Sequence, residues 1–166
     1  MEAVVPMSAT GRRDPGLERA RDLVSRVKDP EIPVLTIADL GVLRDVCLEG
    51  NRLVVTITPT YTGCPAMHAI EHDIETVLHG AGFRNVEVRT QLSPPWTTDW
   101  MDARARRKLE AYGIAPPRPL EARGPINCPQ CHSANTERIS EFGSTACKAL
   151  YRCRNCLEPF DYFKCI

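Results

Sequence analysis

Cys128-Pro129-Gln130-Cys131 and Cys153-Arg154-Asn155-Cys156 are two Cys-x-x-Cys knuckles separated by residues 132–152. No other feature limits so closely what this chain can fold into. Each knuckle offers two thiolates from one tight turn, and four thiolates at this spacing suit tetrahedral Zn²⁺ with no open position. Thr136–Ser140 and Ala149–Arg152 pattern as a hairpin around a turn at Glu141-Phe142-Gly143-Ser144, and Pro159 to Lys164 adds a third strand. The result is a small β zinc ribbon over residues 127–166. A module of about 40 residues cannot bury an adequate core alone, so metal supplies much of its folding free energy.

Six of the eight cysteines lie after residue 127. The N-terminus, Met1-Glu2-Ala3-Val4-Val5-Pro6, lacks the basic-then-apolar pattern of a secretory signal, so a cytoplasmic location is expected. In a reducing compartment such a cluster favours metal over disulfides. Cys147 and Cys165 are additional thiols beyond the knuckles, and Lys148 beside Cys147 favours its thiolate. With two knuckle thiols they could hold an iron–sulfur cluster in place of zinc. Zinc is preferred because the paired knuckles make a closed structural site.

The rest of the chain patterns as α+β. Residues 1–14 are expected as a disordered tail, residues 15–112 as one α+β domain, and residues 113–126, with four prolines and two glycines, as a linker free of helix and sheet. Asp14-Pro15 starts a helix carrying Leu17, Ala20, Leu23, Val24 and Val27, which ends before Pro30. Val42–Leu48 and Arg52–Thr58 form a hairpin around Gly50-Asn51. A second helix from Pro65 shows Met67, Ile70, Ile74, Val77 and Leu78 along one stripe, and Val86 and Val88 mark a third strand. The helix serves as a crossover, so the three-stranded sheet is mixed. A last helix, Trp100 to Tyr112, is expected to start from a cap at Asp99 and carries Arg104, Arg106, Arg107 and Lys108, a solvated face or a docking surface.

Cys64 stands out within this domain. Pro65 suits the first helical position, which puts Cys64 at the N-cap, facing unpaired N–H groups and the positive end of the helix dipole. A thiolate is favoured there, as nucleophile or metal ligand. A small buried residue at a strand–helix corner is the plainer alternative. Asp29, Glu31 and Asp39 are carboxylates in an apolar loop, where capping also accounts for them. His68 and His72 are one turn apart and could share a metal, though solvated positions explain them as well.

Lys and Arg balance Asp and Glu at 21 each, which removes the simplest argument for nucleic acid. Arg138, Lys148, Arg152, Arg154 and Lys164 in the ribbon are offset by Glu137, Glu141, Glu158 and Asp161. No apolar run approaches the ~20 residues that span a bilayer. No nucleophile–base constellation, phosphate-cradling loop or dinucleotide fingerprint is visible, so an independent enzyme is not expected.

Asp29-Pro30-Glu31-Ile32-Pro33, Asp39-Leu40-Gly41-Val42 and Thr60 to Pro65 resemble the signature of the SufT-like iron–sulfur cluster assembly family. The ribbon, through Phe142 to Cys153 and Pro159 to Lys164, is similar to one branch, the PaaD proteins encoded with the multicomponent phenylacetyl-CoA ring epoxidase of aerobic phenylacetate degradation. The resemblance spans residues 17–166. It implies a two-layer domain of α-β-β-α-β-α order, as the residue pattern does. It also implies an accessory or maturation factor, assisting an iron or iron–sulfur centre in a partner subunit. The partner would be the oxygenase component, with its di-iron centre, or the reductase component, with a flavin and a two-iron cluster. Cys64 would then be the transient ligand, with Asp29 and Glu31 as nearby carboxylates and the ribbon as a docking module. A non-catalytic structural or regulatory subunit of the epoxidase is the alternative, and a homodimer is left open. No membrane partner is expected.

Overall fold

Asp14 and Pro15 start the first element as their residue types dictate. In a computed structural model, which describes residues 14–119, 121–122 and 124–164, Asp14 Oδ1 accepts from the Gly16 and Leu17 N–H groups and caps α1, Pro15–Ser25. The expected tail, Asp14 excepted, and Cys165 lie outside the described residues. The helix ends earlier than Pro30 alone would require. Beyond Arg26 the backbone bonds elsewhere: Asp29 N–H donates to Leu35 C=O, and Ile37 N–H to Val27 C=O. These bonds fold the 29–41 loop back on itself and sink Ile32, Leu35, Ile37 and Leu40 into the core.

Strands β1, Leu43–Glu49, and β2, Arg52–Ile57, pair antiparallel across a turn at Gly50, whose φ of 64° needs a residue without Cβ strain. Helix α2, Ala66–Gly80, carries the chain over the sheet to β3, Val86–Thr90, which lies parallel to β2. The sheet order is β1-β2-β3, mixed as expected. Leu53, Val55 and Ile57 meet Ile70, Ile74 and Leu78 of α2 in one buried cluster. Fully burying each such side chain contributes about 1.5–3 kcal/mol.

The third helix departs from expectation at its start. Thr97 caps a short 3₁₀ turn, Thr98–Trp100, and Asp102, not Asp99, caps α3, Ala103–Tyr112. Thr97 and Asp102 thus each start one of two successive helical pieces, and Asp99 falls inside the first. The basic face is partly spent inside the molecule. Lys108 Nζ reaches Asp39 Oδ2 at 2.5 Å, and the Arg106 guanidinium donates to the carbonyls of Pro117 and Thr98.

Past Gly113 the segment expected to be free of sheet contributes one. Ile114–Ala115 is a two-residue strand, β4. It pairs in parallel with β7, Pro159–Phe163, ahead of the prolines that stop it. With β5, Thr136–Ser140, and β6, Lys148–Cys153, the C-terminal sheet runs β4-β7-β6-β5.

β7 has two apolar faces, as strand alternation allows. Phe160 packs in the ribbon's own cluster with Cys128, Cys153 and Ala115, flanked by Tyr151 and Tyr162. Phe163 faces the other way, into the N-terminal core, with its ring centroid 6.1 Å from that of Trp96 at 56°. Trp96 is 3% exposed, and its indole N–H donates to Leu40 C=O at 2.8 Å. Thus one aromatic pair clamps the ribbon onto the α+β fold. Among the described residues, no helix is long and apolar enough to cross a membrane.

Candidate metal centres

The knuckle turns bring the four sulfurs of Cys128, Cys131, Cys153 and Cys156 within 4.8 Å of one another. Cys128 and Cys156 stand 3.7 Å apart, and Cys131 and Cys153 3.5 Å apart. Four sulfurs bonded at about 2.3 Å to one ion in a tetrahedron stand about 3.8 Å from each other. The cage therefore fits a single zinc ion. An iron–sulfur cluster, being larger than one ion, would spread these four thiols wider; of the alternative set, Cys147 packs in the N-terminal core and Cys165 lies outside the described residues. Backbone N–H groups of Cys156 and Asn155 hold the Cys153 thiol down to about 6. At Cys156 a bond from the Glu158 N–H works downward, but desolvation and the three other sulfurs push the thiol up to about 12. Such crowded sulfurs cannot all ionise without a cation between them. Zinc with four thiolates leaves no coordination position for a substrate.

Cys64 lies in a different setting. It is half-buried at the end of the Pro59–Cys64 loop, where Gly63 turns with φ 81°. Pro65, not Cys64, occupies the cap position of α2, and no side chain caps that helix. The Ala66 N–H and the Tyr61 and Thr60 hydroxyls act on the Cys64 sulfur so as to favour its thiolate. The expected low thiol pKa does not follow. Burial pushes it above its ordinary value, and the nearby Glu31 carboxylate pushes the same way, outweighing those donors. At neutral pH the free thiol is protonated and must shed its proton to bind metal.

The carboxylates divide in role. Asp29, 7% exposed, caps its own loop: its Oδ1 accepts from the Glu31 and Ile32 N–H groups. Burial raises its pKa despite those bonds. Glu31 is also raised, by burial first and Asp29 second, with Lys148 opposing. Asp39 bonds Thr36 and Lys108, and this outweighs burial to hold it below the usual range. It is thus taken up in structure. His68 and His72 are exposed on α2, and His68 lies 3.8 Å from Glu71, which accords with solvated positions.

Sequence reasoning gave Tyr61 no role and related Lys148 only to Cys147 and the ribbon's charge balance. Tyr61 sits beside Cys64, Glu31 and Cys147, and burial first, then these charges, pushes its phenol up to about 12. Lys148, 4% exposed, comes from the ribbon, lies 3.8 Å from Asp161, and acts electrostatically on Asp29, Glu31 and Cys147. A Lys is rarely this buried without anionic partners. Tyr61 could have been noticed from its place in the Thr60 to Pro65 stretch. Lys148 was visible locally beside Cys147, whereas its action on Asp29 and Glu31 depends on the fold.

Comparison with known proteins finds relatives for both modules. Residues 115–164 match the family described as PaaD zinc beta ribbon domain, and residues 17–89 the family described as iron–sulfur cluster assembly protein. The chain is 54% identical over 148 residues to the D subunit of the Escherichia coli (strain K12) protein named "Putative 1,2-phenylacetyl-CoA epoxidase", covering 87% of this chain and 90% of that one. Among solved structures, a domain of unknown function, DUF59, from Bacillus anthracis is 31% identical with TM-score 0.51, covering 57% of this chain and 91% of that chain. A conserved hypothetical protein from Thermotoga maritima is 30% identical with TM-score 0.47, covering 55% and 91%. The cage geometry and the ribbon match together make Cys128, Cys131, Cys153 and Cys156 a zinc-binding site.

Proposed function

The chain belongs to the family of the phenylacetyl-CoA epoxidase D subunit, and on that premise we propose that it is a maturation factor for the metal centres of the epoxidase rather than an enzyme in its own right. It hands an iron ion or an iron–sulfur unit to the oxygenase or reductase component, in the cytoplasm. The observation that supports this reading is the contrast between two sulfur sites. The ribbon thiols form a closed cage, suited to a permanent structural ion. Cys64 is half-buried, with Glu31 close by, in the part of the chain that matches iron–sulfur assembly proteins. Soft sulfur beside hard oxygen suits iron, and a thiol that must shed its proton to bind holds metal less tightly, which favours release. Asp29 keeps the loop carrying Glu31 in shape. The ribbon serves as the docking arm, with Ile139 and Phe142 exposed on it.

The test is co-expression of the other epoxidase components with wild-type protein, with Cys64→Ser protein, or with none. Iron, acid-labile sulfide and ring epoxidation are then assayed. The proposal expects clients that are expressed but metal-poor in both deficient cases. Full metal loading with Cys64→Ser would leave a structural or regulatory subunit as the role. Full activity with no protein would remove the maturation role altogether.

A further inference from the structure

A cleft of about 590 Å³ runs along the seam where the ribbon meets the α+β domain. Glu31 and Tyr112 line it from one module, and Phe142, Lys148, Leu150 and Asp161 from the other. Its floor is one face of the C-terminal sheet. Ile114, Asp161 and Leu150 stand side by side across β4, β7 and β6, and Lys148 pairs with Phe163 in the next row of that face. The N-terminal core covers the Phe163 end, and Leu150 stays half-buried at the cleft.

The polar groups of this floor are fixed in place and only partly spent. Ser144 Oγ donates to Asp161 Oδ2 at 2.8 Å, and Gly143 lies so close that a Cβ there would stand 2.2 Å from Asp161 Oδ1. The Gly143 N–H donates to Lys148 C=O at 2.7 Å, which ties the loop to β6. Lys148 is 4% exposed, yet among the described residues its ammonium meets only Asp161 Oδ2, at 3.8 Å, beyond hydrogen-bond reach. A buried ammonium carries three N–H donors, and leaving them without acceptors is costly. The Glu31 backbone N–H is bound by Asp29, but among the described residues its carboxylate has no hydrogen bond or close ion pair. The cleft therefore holds unspent donors and an unspent acceptor.

These charges select an occupant. Two carboxylates and one ammonium line the cavity, so an anion meets Glu31 and Asp161, and a cation meets Lys148. Either charge would lose hydration against a like charge. An extended peptide backbone offers C=O and N–H groups without net charge and answers both unspent groups. The rim is apolar: Tyr112 is 56% exposed and Phe142 63%. Lys164 Nζ stands 4.6 Å from the centre of the Phe142 ring and donates to Glu141 C=O, so the ring is held at the mouth. Exposed aromatic rings beside unspent polar groups are the makings of a protein contact.

We propose that the cleft is the docking site for an extended, uncharged segment of a partner polypeptide. Its C=O accepts from Lys148, its N–H donates to Glu31, and its apolar side chain lies against Tyr112 and Phe142. The partner is an epoxidase component, and that identity alone rests on the maturation reading above.

The chemistry is tested with three probes that share one ring. Zinc-loaded, full-length protein is titrated with N-acetyl-L-phenylalaninamide, which is neutral, with L-phenylalaninamide, a cation, and with N-acetyl-L-phenylalanine, an anion. The neutral probe should move the amide NMR signals of Gly113, Gly143 and Leu150, which line the cleft, with a Kd of about 1 mM. Each charged probe should bind at least about threefold more weakly. A charged probe that binds as tightly, or no probe that moves these signals, would overturn the proposal. Lys148→Met keeps the apolar stem and should weaken the neutral probe more than about tenfold. Tyr112→Ser, on an exposed side chain, should do the same whatever Lys148→Met does to folding, and wild-type binding by it would also count against the site. Leu157→Ser, 70% exposed and outside the cleft, should bind as wild type does.

The partner is tested by placing p-benzoylphenylalanine in place of Phe142 and irradiating the protein with the purified oxygenase and reductase components. The cross-link should fall on one segment of one component, flanked by no Asp, Glu, Lys or Arg. A charged segment, or no cross-link at all, would overturn the docking site. Both measurements are made without iron, so full client loading with Cys64→Ser would remove the carrier and leave this site standing.

Discussion

Phe163→Ala should separate the two halves of the molecule without emptying the zinc site. Phe163 is 1% exposed in the N-terminal core, with Trp96 as its aromatic neighbour. Truncating a buried Phe to Ala costs about 3–5 kcal/mol. Loss of the tilted ring pair adds about 0.5–1.5 kcal/mol. In a chain of this length each kcal/mol lowers Tm by about 2–4 °C, so a fall of roughly 7–26 °C is expected. The assay is thermal unfolding of zinc-loaded protein, with zinc content read in parallel and Trp fluorescence reporting the exposure of Trp96. Zinc should stay bound, because Phe160, not Phe163, packs against Cys128 and Cys153. Phe163→Leu should recover most of the loss. A Tm shift below about 3 °C would refute the clamp. So would release of zinc at temperatures where the N-terminal domain is still folded, since that would place Phe163 in the ribbon's own core.

Chelating zinc at neutral pH should erase the strand signal of β5–β7 and leave the α1–α3 helical signal, read by circular dichroism and amide exchange; ribbon strands that stay protected without metal would contradict the cage's role in folding. Alkylation of Cys64 should be slower than that of free cysteine at pH 7 and climb about tenfold per pH unit toward its raised pKa, because only the thiolate reacts; faster reaction than free cysteine at pH 7 would show that the helix end outweighs burial. Gly143→Ala, which sets a Cβ 2.2 Å from Asp161 Oδ1, should destabilise by about 1–3 kcal/mol in urea titration; an unchanged midpoint would mean the loop yields freely.

What the sequence made legible was local or periodic. The Asp14 cap, the α2 stripe of Ile70, Ile74 and Leu78, the hairpin at Gly50 and the knuckle spacing each rest on residues close together in the chain. What it hid depends on contacts between distant segments. Lys108 answers Asp39 from across the domain, which no count of charges along α3 could foretell. Ile114 and Ala115 were masked by the prolines after them, although two free residues suffice for a strand when a partner edge is waiting. The thiol of Cys64 departs from expectation because helix position is visible in sequence, whereas burial and the approach of Glu31 are not. Cys147 shows the same limit: neighbouring residues mark it as a ribbon thiol, and only the fold takes it out of the ribbon.

The parallel pairing of β4 with β7 bears on how such a protein could be recombined. A ribbon excised at residue 127 and grafted onto another carrier would leave Ile114–Ala115 behind. β7 would then become a bare outer strand, open to pairing with foreign chains. The graft would also carry Phe163 with no Trp96 to receive it. A transplant that keeps its solubility should begin before Gly113, and its host should offer a pocket for one aromatic ring.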